Sequence, residues 1–171
     1  MISVYCDGSS HVKNYKPIGW GWVIVREGEA LLSGSGCSLT GTNNIAELMG
    51  AIEGLQKLIS LGWHRAEEMI ELVSDSQYVL GMAAGAYSPT KNLELVEAVR
   101  ALTLEANART RWVKGHSGEP FNEQCDKLAH TAKLSLVRSA PKKPKKSKEP
   151  KNGKLAQSAV STGTGDEGVE L

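Results

Sequence analysis

Cysteine is scarce: Cys6, Cys37 and Cys125 are the whole complement. Their number is odd and no two are spaced Cys-x-x-Cys. That argues against a disulfide framework and against a zinc site, and it fits free buried thiols in a reducing compartment. Long apolar runs are missing too. None approaches the length needed to cross a bilayer, so no membrane partner is expected. No charged stretch followed by an apolar one opens the chain, which points to a cytoplasmic protein. Internal repeats are absent. So is the basic excess of a simple nucleic-acid binder. The 171 residues carry a formal +1, but residues 1–138 hold 13 Lys and Arg against 15 Asp and Glu, a net −2, and residues 139–171 a net +3.

What is present is ordinary for a soluble protein: 40% apolar and 23% charged residues, in a length that suits one domain with a tail. Residues 1–138 read as the domain, large enough to bury a core without staples. Residues 139–171 open with a Lys/Pro-rich run from Pro141 to Lys151 and continue Ser/Thr/Gly-rich to an acidic end. That composition cannot pack, so a disordered tail is expected.

Along the domain, Ile2–Cys6 reads as a buried strand that stops at the turn signal Asp7-Gly8. Gly19–Val25 and Ala30–Cys37 read as two more strands joined by a hairpin turn at Glu27-Gly28-Glu29. Thr42–Asn44 offers N-cap chemistry for a helix with an apolar stripe at Ile45, Leu48, Met49, Ile52, Leu55 and Ile59, ended by Gly62. Ile70–Ser74 is a short strand; the helix before it makes it parallel to the first. Ser76 to about Ala84 forms a short helix, and Asn92 caps the next. Thr110–Val113 is a fifth strand, and Pro120 starts a last helix running to roughly Arg138.

Four acids organise this chain. Asp7 and Asp75 each follow a strand on its carboxyl side, where open α/β sheets place ligands. Glu47 and Asp126 each lie near the start of an amphipathic helix. Any one alone reads as a solvated acid at an element's end. Together, if the two strands are neighbours, the four carboxylates converge, and clustered like charges call for cations. Hard oxygen ligands suit Mg²⁺ or Mn²⁺. His116, in a Lys-Gly-His-Ser-Gly loop ten residues before Asp126, is a proton carrier if it neighbours such a site and a plain exposed histidine if it does not. Asn43, Asn44 and Gln77 are helix caps, or hydrogen-bond donors to sugar and phosphate. Trp20, Trp22, Trp63 and Trp112 are assigned to core or half-buried packing rather than to base stacking.

Four stretches carry a resemblance: Asp-Gly-Ser at 7–9, Thr-Asn-Asn-x-x-Glu-Leu at 42–48, Ser-Asp-Ser-Gln-Tyr-Val at 74–79, and Trp-Val-Lys-Gly-His-x-Gly followed by Asn-Glu-x-Cys-Asp at 112–126. In order, over roughly residues 1–138, they resemble the type 1 ribonuclease H family, which cuts the RNA strand of RNA–DNA hybrids. The resemblance implies an α/β ribonuclease H-like fold: a five-stranded mixed sheet, order 3-2-1-4-5, with helices on both faces. It implies that Asp7, Glu47, Asp75 and Asp126 bind two Mg²⁺ ions (Mn²⁺ being possible), and that His116 assists proton transfer or product release. It places Gly8, Ser9, Thr42, Asn43, Asn44 and Gln77 among the substrate contacts. The partner is an RNA–DNA hybrid duplex, the enzyme a monomer, and the products carry 5′-phosphate and 3′-hydroxyl ends.

Two features depart from the family pattern. Leu80–Lys91 holds a single lysine and no tryptophan where many bacterial members carry a basic protrusion, and the loop His11–Lys16 lacks the common Gly/Pro-rich form. The six lysines between Lys142 and Lys151 are then an alternative grip on the polyanion, or else an inert solubilising tether or a basic targeting signal. Two other functions compete: a DNA strand-transfer or resolving nuclease on the same fold, and a catalytically silent hybrid-binding module. The His116–Asp126 stretch argues against the first and the complete acid set against the second.

Overall fold

The first strand separates two cores. In β1 (Ile2–Ser10), Ile2, Val4 and Cys6 face one side, and Tyr5 faces the other. A strand's two-residue period produces this split, and the neighbouring strands repeat it. Trp22 and Ile24 of β2 (Ile18–Arg26) and Ile70 and Leu72 of β4 (Ile70–Ser74) join the first side, whereas Val23, Val25 and Val73 join the second. With β3 (Glu29–Ser38) and β5 (Ala108–Trp112) they make a five-stranded mixed sheet of order β3-β2-β1-β4-β5. The β1–β2 and β2–β3 pairs are antiparallel; β1–β4 and β4–β5 are parallel. The computed structural model describes residues 1–10, 17–65 and 67–139, with side chains through 136.

Helices cover both faces. On the first lie α1 (Asn43–Ser60), α2 (Gln77–Ala83) and α3 (Leu93–Glu105). On the second lies α4 (Pro120–Ser139), whose Phe121, Cys125 and Leu128 pack with Tyr5, Val23, Val25 and Val73. Thr42 caps α1, its hydroxyl accepting from the Ile45 amide at 3.3 Å, and Ser76 caps α2 through the Val79 amide at 3.3 Å. Both caps fit the preference of hydroxyl residues for this position. The β2–β3 turn places Glu27 at φ 54° and Gly28 at φ 83°, the paired positive φ of a two-residue hairpin loop.

Several expectations change. β1 does not stop at Asp7; it runs to Ser10, paired with β2 throughout. The ladder to β4 ends earlier, at Tyr5–Val73. Asp-Gly is a turn signal only when nothing pairs with the backbone, and Ile18–Gly21 supplies that partner. β5 starts at Ala108 and ends at Trp112, two residues earlier and one residue earlier than expected. Asn92 precedes α3 in a left-handed conformation without capping it; its amide donates to the Tyr78 hydroxyl instead, at 3.3 Å. Trp20 and Trp22 are buried, but Trp112 is half exposed. Cys6 and Cys125 are buried free thiols and Cys37 is intermediate. The chain divides into two units, Met1–Ala140 and Pro141–Leu171. The tail from 140 onward and the loop His11–Lys16 lie outside the described residues.

Candidate active site

β1 and β4 part company just where the acids begin. Parallel pairing holds through Tyr5 and Val73, so Asp7 lies beyond the fork and Asp75 directly follows β4. The chain must then bring two helices close. At Gly8 a side chain would collide with the Glu47 amide nitrogen, with Ala46 C at 2.7 Å and with the Glu47 Cγ at 2.8 Å. Only a glycine lets the first turn of α1 lie against β1 here, and that contact brings Glu47 to Asp7. On the other face, Gly21 is the register partner of Asp7. A Cβ there would stand 2.5 Å from the Cys125 carbonyl and 2.7 Å from Leu128 Cβ. So α4 sits directly on the strand beside Asp7 and brings Asp126 within electrostatic reach of it.

The electrostatics follow from this convergence. Asp7 is 8% exposed. Burial, then the charge of Asp75, push its carboxyl up to about 7 from an ordinary 3.8, with Asp126 and Glu47 adding to the rise and the Gly8 amide opposing it. That amide donates to Asp7 Oδ1 at 2.7 Å. Burial also raises Glu47, helped by Asp75 and opposed by hydrogen bonds from Ser76 and Asn43. The Ser76 hydroxyl donates to Glu47 Oε2 at 2.5 Å and the Asn43 amide to Oε1 at 2.6 Å. The Asn122 amide donates to Asp75 Oδ2 at 3.3 Å, while its own Oδ1 is buried without a partner. Among the described residues no three His, Cys, Asp or Glu side chains are grouped as a ready metal cage. The donor set still fits hard cations: carboxylate oxygens that repel one another, and beside them an unsatisfied amide oxygen suited to an ordered water.

The model of the family described as RNase H matches residues 1–133. The chain belongs to the RNase H family. A Ribonuclease H from Treponema pallidum is 34% identical over 163 residues, covering 81% of this chain and 94% of that relative. Among solved structures, the N-terminal RNase H domain of a Mycobacterium tuberculosis protein, a fusion with maltose-binding protein, superposes with a TM-score of 0.70 at 26% identity, covering 82% of this chain and 98% of that one. LC11-RNase H1 in complex with RNA/DNA hybrid shares the fold, with a TM-score of 0.69 at 24% identity over 80% and 99% of the two chains. The chain is an RNase H enzyme, a nuclease.

In this RNase H the remaining candidates lie around the acids to different degrees. A side chain at Gly115 would meet Asp75 Oδ2 at 2.5 Å, so the loop carrying His116 passes against Asp75. His116 is exposed and held at φ 51°, an uncommon conformation for a residue with a Cβ. Thr42, Asn43 and Asn44 are exposed at the start of α1, and Gln77 is exposed at the start of α2. Asn43 is partly engaged, one amide hydrogen going to Glu47. Ser9 Oγ accepts from Lys133 at 2.6 Å.

Three residues escaped the reading of the sequence. Ser76 and Asn122 orient Glu47 and Asp75. Asn122 precedes Asp126 by four residues, one helical turn, and that spacing was the available signal. Trp112 is the third: its indole N–H donates to the Asp75 carbonyl at 3.0 Å, bracing the strand end that presents Asp75.

Proposed function

We propose that this RNase H hydrolyses the RNA strand of RNA–DNA hybrids, using divalent cations held by Asp7, Glu47, Asp75 and Asp126. Mg²⁺ is the expected ion, two per site, with Mn²⁺ accommodated. The observation that supports the reading is the buried Asp7, whose carboxyl is pushed up to about 7 by burial and by the charges of Asp75, Asp126 and Glu47. Bound divalent cations would neutralise that cluster and polarise the scissile phosphodiester and its attacking water.

The chain's own groups supply the rest. Ser76 and Asn43 hold Glu47 from both carboxylate oxygens, and Asn122 holds Asp75, so the ligands need little reorganisation. His116, on its exposed loop beside Asp75, carries a proton toward the departing 3′ oxygen. Cleavage then leaves 5′-phosphate and 3′-hydroxyl ends. Thr42, Asn44, Gln77 and the second amide hydrogen of Asn43 would meet sugar and phosphate, with Gly8 and Ser9 on the neighbouring strand. Specificity rests on duplex shape and 2′-hydroxyls rather than base sequence. The Ribonuclease H relatives at 34% and 37% identity support this choice of substrate.

An end-labelled RNA–DNA hybrid, a DNA duplex and an RNA duplex of one sequence test the proposal. Cleavage of the hybrid's RNA strand alone is expected, abolished by EDTA and restored by excess Mg²⁺. Cutting of the DNA duplex would point to a strand-transfer or resolving nuclease. Binding of hybrid without cleavage would point to a silent module.

The lysine run is a separate expectation, drawn from sequence. Truncation after Arg138 should raise KM and flatten its salt dependence while kcat holds. Each lost phosphate contact reduces the log–log slope by about 0.7–0.9. Equal KM and equal slopes for both proteins would show that the run takes no part in binding.

A further inference from the structure

Lys133 is 4% exposed, and among the described residues it makes no ion pair. Its ammonium donates to Ser9 Oγ at 2.6 Å and to the Ser10 carbonyl at 3.1 Å. Both are neutral acceptors on the last two residues of β1. Burying a cation on neutral oxygens forfeits solvation that a leucine or methionine in the same space would not forfeit. Burial indeed lowers the ammonium's pKa, and Asp126 only partly offsets that. Packing alone therefore does not account for a lysine here.

Its place in the fold does. Tyr5, Asp7 and Ser9 share one face of β1, and α4 runs along that face. At one end Phe121 packs on Tyr5, ring centroids 5.3 Å apart. In the middle Cys125 lies over Gly21, the partner of Asp7. Further on, α4 lies over Gly19, the partner of Ser9, where a Cβ would collide with the Ala129 carbonyl and stand 2.7 Å from the Lys133 backbone nitrogen. The helix is thus attached to β1 at both ends, with Asp126 and Asp7 between. The apolar end permits sliding; the hydrogen-bonded end does not, because hydrogen bonds tolerate only a few tenths of an ångström.

We propose that Lys133 is a positioning residue: it locks the axial register of α4 on β1, so that Asp126 is held against Asp7. The proposal rests on the reading of these acids as cation ligands, and its test separates the two. Lys133→Met fills the same space without the hydrogen bonds or the charge. Positioning predicts that its Tm stays within a few degrees of wild type, that kcat on the hybrid falls about 5–30-fold with KM changed less than about twofold, and that Mn²⁺ binding without substrate, measured by calorimetry, weakens about 10-fold, the low end of the range for partners that orient a metal ligand. Lys133→Arg, which keeps donors and charge, should recover most of both. Ser9→Ala, which removes one acceptor but leaves the cation, should give a partial loss that is not additive with Lys133→Met.

The opposite sign of the Mn²⁺ result would overturn the proposal. If Lys133 acted only through its charge, deleting a cation near four acids would tighten Mn²⁺ binding, and Ser9→Ala would leave Mn²⁺ affinity unchanged. Unchanged kcat and Mn²⁺ affinity would equally end it. Should Lys133→Met fail to fold, Ser9→Ala carries the test through Mn²⁺ affinity: weaker binding supports the register lock, and wild-type binding refutes it. A wild-type protein that binds Mn²⁺ but leaves hybrids intact would sink the substrate assignment and leave the Lys133 measurement standing.

Discussion

Asp7→Asn is expected to abolish hydrolysis while making the metal-free protein more stable. Partners that merely orient a metal ligand are worth about 10–100-fold, so loss of the proposed central ligand should take turnover below detection. The stability half follows from the titration. Asp7 holds its proton to about pH 7 in the folded chain, against an ordinary 3.8. Between those values the folded state binds more protons than the unfolded one, so this group's contribution is full below about pH 4 and lost as pH rises through 7. Metal-free protein should therefore lose stability across that window. Asn, which stays neutral, should remove the dependence and raise stability at pH 8 by about 2–4 kcal/mol, several degrees in Tm. Thermal denaturation in EDTA from pH 4 to 8, run beside a hybrid-cleavage assay, reads both halves. Asp75→Asn should behave alike in activity, since Asp75 is the strongest charge acting on Asp7. Near wild-type turnover in either variant would dismantle the cation-site assignment.

His116→Ala should slow cleavage by about 10²–10⁴-fold, the usual worth of general acid–base help. Hybrid affinity should change little, because no contact that orients the acids passes through this side chain. Its backbone at φ 51° is tolerated by glycine at no steric cost, so His116→Gly should lose activity to the same degree without destabilising the loop. Single-turnover rates and equilibrium hybrid binding separate the outcomes. Normal single-turnover chemistry with weakened binding would move His116 from proton transfer to substrate contact.

Much of the molecule was legible in the residues. The apolar runs Ile2–Cys6 and Gly19–Val25, the stripe from Ile45 to Ile59, and the N-cap chemistry at Thr42 are local signals, and the elements formed where they pointed. The ordered motifs carried the strand order and named the acids. Local signals could not say where pairing stops. Asp7-Gly8 reads as a turn, yet β1 continues to Ser10 because β2 stays paired with it, and the fork that opens the site is set by β4 leaving after Val73. Nor could they show which side chains fix the acids. Ser76 on Glu47, Asn122 on Asp75 and Lys133 on Ser9 join residues 29, 47 and 124 positions apart. Such bonds exist only once the two helix faces have closed on the sheet. The identities of the four acids were thus written along the chain. The elevated pKa of Asp7 was decided by the tertiary structure, because burial and charge–charge repulsion act through space rather than along the sequence.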